Sequence, residues 1–424
     1  MSQNIPLPTP PPESRNTWRK RDSQWVLTLF GTAVGAGILF LPINAGIGGI
    51  WPLIAVTILI GPMTFWSHQG LARFCLSSSN INANITDTVT EHFGSKAGLL
   101  LTVGYFLAIY PILVIYGIGI TNTTTSLLVS QLDMEAPSRA VLSFFLVIGL
   151  VTIVSCGEQV ILRVCSAIVY PLIAILVGTS LYLIPQWSTA QFDVTPTASE
   201  LIRTLFLTIP VLVFSFNHSP AISSFSSAYR KELGDRAEVQ TSLILKQTSL
   251  LLVGFTMLFV YSCVLTLSPS ELIAAKATNL SILSVFAENT NNPIFGWLVQ
   301  IVALIAISSS FFGHYIGASE GLNGLIVTHI KYKNPKAKIN TKLINRFTVI
   351  FITLSVWAAS YLNLSIINII ETLASPILAV ILFIMPVYAI RKIPAMQKYQ
   401  SASNIFTLIM GTIAITGFIA SKIL

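Results

Sequence analysis

The chain carries little charge for its length. Only 9% of its 424 residues are acidic or basic, whereas 53% are hydrophobic, and the mean hydropathy is +0.76. A water-soluble protein of this size covers its surface with far more charge. The composition therefore excludes a soluble globular protein.

Cysteine and histidine are also scarce. The four cysteines lie far apart in the sequence, so they indicate neither a disulfide framework nor a metal site. The five histidines include no short-spaced pair, and neither the HExxH zinc motif nor a GxxxxGKS or GxxxxGKT phosphate loop is present. These absences argue against an enzyme and against ATP-driven transport within this chain. We expect no metal site and no cofactor.

The sequence does contain a series of apolar runs, each long enough to cross ~30 Å of hydrocarbon as a helix. They predict an all-α polytopic membrane protein that lies in a lipid bilayer. We expect eleven spans, near residues 24–44, 50–74, 97–128, 139–156, 160–184, 200–229, 247–267, 294–326, 346–362, 365–390 and 403–421.

The basic residues predict the orientation of these spans. With the N-terminus in the cytoplasm, 20 of the 24 lysines and arginines fall on the inner side, as the positive-inside rule requires. The odd number of spans then puts the C-terminus in the periplasm. The run "KYKNPKAKINTK" is interpreted as a topology determinant beside anionic lipid, so the net charge of +8 does not indicate a nucleic-acid partner.

Three regions are expected along the chain. Residues 1–23 are polar and proline-rich, which is typical of a disordered tail, here cytoplasmic. Residues 24–390 form a ten-span core, and residues 391–424 add a cytoplasmic loop and an eleventh helix. A cleaved signal peptide is a competing interpretation of the first apolar run, but that run continues at once into "ILFLPINAG".

Two spans carry signals for an interruption. In span 1, "GTAVGAGILFLP" has three glycines within seven residues, which weakens a helix; close helix packing on small residues is the competing explanation. In span 6, "IPVLVFSFNHSPAISSF" contains Pro220, so the helix should break near 216–219. An ordinary proline kink is the alternative there.

The spacing of the two interruptions favours a transporter. Each opens a block of five spans, and because five is odd the repeat 200–390 enters the membrane from the opposite side to the repeat 24–184. Paired interrupted helices in two inverted halves indicate a substrate site near the bilayer midplane. Unwound backbone and half-helix dipoles there suit a zwitterion.

Four segments carry a resemblance to a known family. "WRKRDSQWVLTLFGTAVGAGILFLPINAGIGG", "VFSFNHSPAISSF", "SFFGHYIGASEGLNG" and "IMPVYAIRKIPAMQKY" resemble parts of the hydroxy and aromatic amino acid permease family, and within it the bacterial proton-coupled serine transporters. The resemblance implies a LeuT-like core of five plus five inverted helices. It also implies proton-driven uptake of an amino acid across the bacterial inner membrane.

The interrupted segments supply the candidate substrate-binding residues. Absent or small side chains in span 1 let a ligand approach the backbone, and the polar residues of span 6 form the opposite wall, where a hydroxyl of the substrate can be bound. Span 3 offers Tyr105 and Tyr110 as aromatic residues to cover the substrate, with ordinary helix packing as the competing explanation. The candidates are Thr32, Ala33, Gly35, Ala36, Gly37, Ser215, Phe216, Asn217, His218, Ser219 and Tyr105.

Coupling candidates lie in spans 8 and 10. In a LeuT-like architecture span 8 faces span 1 at a cation site, and Ser308, Ser309 and Ser310 lie at that depth. Serine transporters of the resembled type carry a lysine where Ser309 stands; a hydroxyl cannot hold that charge, but it can bind Na⁺. His314 can compensate as a proton acceptor, and Glu371 in span 10 is a further protonatable candidate.

The sequence therefore predicts a secondary symporter for a small hydroxy amino acid, most simply L-serine, coupled to H⁺ with Na⁺ as the alternative ion. Threonine or an aromatic amino acid is the alternative substrate. A passive channel is the alternative class, but it requires a continuous polar stripe, and the polar clusters lie only at mid-depth. The sequence does not indicate an oligomeric state.

Overall fold

The computed structural model describes residues 18–46, 48–193, 195–278, 280–289, 292–334, 336–370 and 374–421, and this part of the chain is helical without strands. In chain order the helices are α1 (Lys20–Ala33), α2 (Ala36–Gly46), α3 (Ile50–Leu76), α4 (Ile85–Ser130), α5 (Arg139–Ser155), α6 (Glu158–Leu183), α7 (Ala190–Asp193), α8 (Ala198–Ser215), α9 (Ser219–Leu233), α10 (Ala237–Thr266), α11 (Pro269–Thr278), α12 (Ile282–Asn289), α13 (Pro293–Lys333), α14 (Thr341–Leu362), α15 (Ile366–Ile369), α16 (Ser375–Ala379), α17 (Met385–Lys392) and α18 (Ala402–Ser421).

The helices agree with the predicted spans. Within the described residues, eight helices are long and apolar enough to cross a membrane, and the bent pair α1 and α2 makes a ninth. Two shorter apolar helices, Arg139–Ser155 and Ala402–Gly417, coincide with predicted spans 4 and 11. Each of the eleven predicted spans therefore has a helical counterpart, and the prediction of an all-α membrane protein is confirmed.

Both predicted interruptions are present. Span 1 is divided at Val34 and Gly35, with a bend of 52° between its two halves. Span 6 is divided at residues 216–218, between α8 and α9. We call these break 1 and break 2.

The distribution of apolar side chains is that of a protein in lipid. Large hydrophobic residues such as Ile58, Leu100 and Phe145 lie on the outer surface, at 71%, 72% and 68% exposure. Apart from Ala36, whose side chain is not described, residues 25–43 are buried on every side, against α6, α10 and α13. A helix surrounded in this way lies at the centre of the bundle, which places break 1 deep in the protein.

Several features depart from the predicted spans. Span 3 begins earlier than predicted, because α4 includes a segment from Ile85 that precedes a kink at Gly94, where φ is +79°. Between spans 7 and 8 the chain forms α11 and α12, which pack against α2 and α13. Span 10 contains a wider helical turn over Val380–Ile384.

Candidate functional site

The two breaks meet at the centre of the bundle. The hydroxyl of Ser215, the last residue of α8, donates a hydrogen bond of 2.9 Å to the carbonyl of Gly37 in the first turn of α2. A Cβ atom at Gly37 would lie 2.6 Å from the Cα of Ser215. Because backbone lies against backbone here, only glycine fits at position 37. Spans 1 and 6 are thus joined at their interruptions.

Break 1 also lies against spans 3 and 8. A Cβ atom at Gly35 would lie 2.3 Å from the hydroxyl of Ser310 and 3.0 Å from the ring of Tyr116. The glycine therefore permits the close packing that was one interpretation of this sequence. Because the side chain of Ser310 already fills the space beside Gly35, a contact of this glycine with a ligand stays a prediction.

Serine hydroxyls of α13 bind the carbonyls at the end of α1. Ser310 donates to the carbonyls of Gly31 and Thr32, at 2.9 Å and 3.0 Å, and Ser309 donates to Gly31 at 3.3 Å. These bonds satisfy carbonyls that a helix terminus leaves without an intrahelical partner. The third candidate, Ser308, is only half-buried and takes no part in these hydrogen bonds. Two of the three serines therefore face break 1.

The other span 1 candidates surround the same point. The hydroxyl of Thr32 donates to the carbonyl of Thr28 at 2.8 Å, and its side chain lies against Gly313 of α13. Ala33 is buried and ends α1. Ala36 begins α2.

Break 2 is lined by buried polar groups. The side-chain oxygen of Asn217 accepts a hydrogen bond from the backbone N–H of Ser219 at 3.0 Å, which forms a turn at the start of α9. The hydroxyl of Ser219 and the Nε2 atom of His218 are buried without a hydrogen-bond partner. Phe216 is 2% exposed and forms the apolar part of the break. Together with Ser215, all five predicted residues of this wall are therefore buried at this point.

Three histidines converge on break 2. The ring of His68, from α3, stacks on the ring of His218, with centroids 3.6 Å apart and planes inclined by 9°. The Nε2 atom of His68 accepts the backbone N–H of His218 at 3.1 Å. From α13, the Nε2 atom of His314 accepts the amide of Asn217 at 3.5 Å. The sequence analysis missed His68, because 150 residues separate it from its partner and no local motif marks it.

The aromatic residue of span 3 at the site is Tyr116 rather than Tyr105. Tyr105 is buried beside Gly321 of α13, whereas Tyr116 contacts Gly35 and the edge of His314, with ring centroids 5.2 Å apart. The two tyrosines are eleven residues apart, about three helical turns or ~16 Å. They share a helix face but differ by that much in depth. The proposed covering role of Tyr105 does not agree with its position.

Glu371 lies outside the described residues. A different acidic residue, Glu320 of α13, has a defined position: its carboxylate accepts hydrogen bonds from the hydroxyl of Ser223 at 2.7 Å and from the backbone N–H of Ile85 at 3.1 Å. It thereby links spans 3, 6 and 8.

One end of the bundle carries a group of ion pairs. Arg19 and Arg21, at the start of α1, both contact the carboxylate of Glu232 near the end of α9. Asp22 accepts a hydrogen bond from the hydroxyl of Tyr229, also in α9. We call these five residues the latch and this end of the bundle the basic end. The latch joins the first turn of α1 to the end of α9.

A polar cavity of about 560 Å³ lies beside the latch. Arg21 and Glu232 line its rim, and Ser223, Ser227 and Glu320 line its wall. The cavity therefore leads from the basic end along α9 toward break 2.

One pentapeptide has the spacing of a hydrolase motif. Residues 317–321 read GASEG, the GxSxG pattern of a nucleophilic serine, which needs a sharp strand-to-helix turn to expose its hydroxyl. Here the five residues lie within the continuous helix α13. The pattern is therefore part of a membrane helix and does not indicate an esterase.

A bundle of apolar helices with two interrupted spans joined at its centre defines a secondary transporter of the broken-helix class. Solved structures of that class share the fold. MhsT in complex with L-phenylalanine superposes with a TM-score of 0.64 at 16% identity, over 97% of this chain and 99% of MhsT. A Na⁺-coupled sialic acid symporter in a substrate-bound outward-open state gives 0.56 at 14% identity, over 95% and 90%. The predicted LeuT-like fold is confirmed.

The chain belongs to the tryptophan/tyrosine permease family, whose model matches residues 23–423. It is 50% identical over 416 residues to the serine transporter SdaC of Escherichia coli K12, with 96% of each chain covered. The serine transporter SdaC of Shigella flexneri matches at the same identity and coverage. The predicted family is confirmed, and the protein is an amino acid permease and not an enzyme.

Proposed function

We propose that this permease imports L-serine across the bacterial inner membrane, driven by a proton gradient. The relatives named serine transporters, at 50% identity over nearly the whole chain, support the substrate. The observation that carries the proposal is the junction of Ser215 and Gly37, which brings four half-helix ends and several buried polar groups to one point. A small zwitterion is the ligand that such a point suits.

The half-helix ends provide complementary charges for the substrate. The N-termini of α2 and α9 carry partial positive charge and bind its carboxylate, whereas the C-termini of α1 and α8 carry partial negative charge and bind its ammonium group. The unpartnered hydroxyl of Ser219 and the amide of Asn217 bind the serine hydroxyl. An analogue without a hydroxyl leaves these buried groups unpaired, so alanine is rejected.

The serines of α13 bear on the choice of coupling ion. Ser309 cannot hold a charge, and its hydroxyl together with that of Ser310 donates to the carbonyls of Gly31 and Thr32. A Na⁺ ion at this position would have to replace these hydrogen bonds with coordination to the same oxygens. This oxygen cluster is the observation in favour of Na⁺ as the alternative coupling ion. Glu371 and His314 remain candidate proton carriers.

Transport proceeds by alternating access in this proposal. The latch holds the basic end of spans 1 and 6 together, and its release widens the polar cavity beside it into an exit toward the cytoplasm. At the opposite end, α12 packs against α2, α4 and α13, and the hydroxyl of Ser126 joins Glu288 of α12 to Gln300 of α13. The N-terminus lies in the cytoplasm and the C-terminus in the periplasm.

Counterflow in proteoliposomes tests the substrate. Vesicles loaded with unlabelled serine should take up labelled serine in buffer without Na⁺, and external threonine should compete more weakly than serine. Phenylalanine, tryptophan and alanine should not compete. Equal competition by aromatic amino acids would overturn the assignment to serine, and uptake that does not depend on internal serine would indicate a passive channel.

A further inference from the structure

The stacked imidazoles at break 2 form a site that can hold a proton. His68 and His218 are 2% and 0% exposed, and their rings lie parallel at 3.6 Å. The hydrogen bonds of the ring nitrogens determine where an additional proton can bind.

Both rings donate from Nδ1 to the backbone. The Nδ1 atom of His68 lies 2.8 Å from the carbonyl of Thr64, and that of His218 lies 3.2 Å from the carbonyl of Phe216. A carbonyl only accepts, so each Nδ1 carries the hydrogen. In a neutral imidazole the Nε2 atom is then a bare acceptor.

The two Nε2 atoms differ in availability. That of His68 is occupied, because it accepts the backbone N–H of His218. That of His218 is buried without a partner. A proton can therefore bind to the lone pair of His218 Nε2 without breaking any of these hydrogen bonds, and the face of the neutral His68 ring supports the resulting cation.

The pair can bind only one additional proton. A second proton would place two positive charges 3.6 Å apart inside the protein, where like charges repel strongly. It would also remove the acceptor for the N–H of His218, which anchors break 2 to α3.

Three serines of α9 follow His218 toward the cavity at the basic end. Ser219, Ser223 and Ser227 follow at intervals of four residues and so share one face of α9. Ser223 and Ser227 line the cavity, and Ser223 also binds the carboxylate of Glu320. A proton entering or leaving by the cavity thus has a line of hydroxyls along which to move toward His218.

Other titratable groups face α9 from each neighbouring helix. α13 contributes His314 and Glu320, α1 contributes Asp22, and α10 contributes Glu238, which is held by Arg73 of α3 at the basic end. His314 faces the break itself, through Asn217. Its Nδ1 atom binds the carbonyl of Ser310, so it too is a neutral ring with its Nε2 atom already in use.

We infer that the stacked pair His68–His218 is a one-proton site and that this proton is the coupling ion of the transport cycle. The second part of this inference rests on the proposed function. An N–H bond forms at Nε2 of His218 as an O–H bond of hydronium breaks on one side of the membrane; on the other side the N–H bond breaks as water takes up the proton.

Two substitutions at His68 separate a protonation role from a structural role. In His68→Gln the side-chain oxygen can still accept the N–H of His218, but the residue has no aromatic ring face to support a cation on His218; His68→Leu lacks both the acceptor and the ring. We expect His68→Gln to keep a normal unfolding temperature and serine counterflow within about threefold of wild type, yet to lose at least tenfold in pH-driven accumulation. The control is His92→Gln. His92 is hydrogen-bonded to Ser77, outside the pair, so this variant should transport normally.

The opposite results would overturn the inference. If His68→Gln accumulates serine like wild type while His68→Leu does not, His68 is only a backbone acceptor. If wild type itself shows no pH-driven accumulation, the proposed coupling to protons fails. The proton site is then still tested by ¹⁵N NMR of histidine-labelled protein in bilayers, assigned with the same variants. The pair should convert from two Nδ1–H neutral rings to one imidazolium as pH falls; two imidazoliums, or none down to pH ~4, would refute it.

Discussion

Ser215 and Gly37 are 178 positions apart in the sequence, and a single hydrogen bond of 2.9 Å joins the hydroxyl of the first to the carbonyl of the second. Ser215 is the last residue before break 2, and Gly37 belongs to the first turn after break 1. The bond therefore connects the two interrupted helices at the depth where the helical hydrogen bonding of each is interrupted.

Ser215→Ala should weaken this junction. Loss of the hydroxyl leaves the carbonyl of Gly37 without its donor, which we expect to cost about 1 kcal/mol of stability, and to weaken serine binding severalfold because both walls of the site shift. Thermal unfolding and equilibrium binding of serine measure the two effects. Ser308→Ala is the matched control, since Ser308 is a half-buried serine of α13 that faces away from break 1. Equal effects of the two substitutions would contradict the role of the junction.

Gly35→Ala should disturb the contact between spans 1 and 8. The added methyl group would lie 2.3 Å from the Oγ atom and 2.5 Å from the Cβ atom of Ser310, so the helices must separate. We expect a loss of about 1–3 kcal/mol in stability and little serine binding.

Ser310→Gly in the same chain removes the two closest opposing atoms, while the ring of Tyr116 stays at 3.0 Å, and should recover part of the lost stability. This double variant tells two roles of Gly35 apart. Recovery of stability without recovery of serine binding supports a backbone contact with the substrate at break 1. Recovery of both would mean that Gly35 serves only helix packing.

Glu232→Gln should loosen the latch. The carboxylate binds Arg19 and Arg21, and an amide cannot pair with two guanidinium groups in the same way. With Cys156 replaced by serine and a reporter cysteine at Ser227, which lines the cavity, we expect labelling by a polar maleimide to quicken severalfold. Glu238→Gln breaks a different ion pair at the same end, with Arg73, and should leave the labelling rate nearly unchanged. Equal rates in both variants would exclude the latch as a gate.

Two exposed loop positions test the orientation. Ser268 follows span 7 and Asn334 follows span 8, so they lie on opposite sides of the membrane. The distribution of basic residues predicts that Ser268→Cys reacts with an impermeant maleimide from outside intact cells and that Asn334→Cys reacts only after lysis. The reverse pattern would invert the assigned topology.

The breaks could be predicted from the sequence because their causes are local. Glycines at 31, 35 and 37 lower helix stability in their own segment, and Pro220 cannot donate a backbone hydrogen bond in its own. The spans could be predicted for the same reason, because the length and hydropathy of each apolar run are properties of the local sequence. Short helices such as α11 and α12 were missed, because packing against α2 and α13 determines them rather than any pattern of their own.

Contacts between distant helices could not be predicted in this way. His68 meets His218 only because α3 packs against α9, and no spacing in either helix records that register. Tyr105 was named as the aromatic residue over the substrate and Tyr116 was not considered; eleven residues return a helix to the same face, so the two differ in depth and not in face. Three adjacent serines of a helix cannot all face one partner, and the sequence does not show which two do. For that reason Ser308 was included with Ser309 and Ser310.

Proton-driven accumulation of serine is the measurement that tests the central claim most directly. Proteoliposomes containing the protein are given an inward proton gradient in buffer without Na⁺, and labelled serine is followed with time. The account predicts accumulation above the external concentration, abolished by a protonophore. Uptake that stops at equilibration, or accumulation that requires a Na⁺ gradient and resists the protonophore, would contradict it.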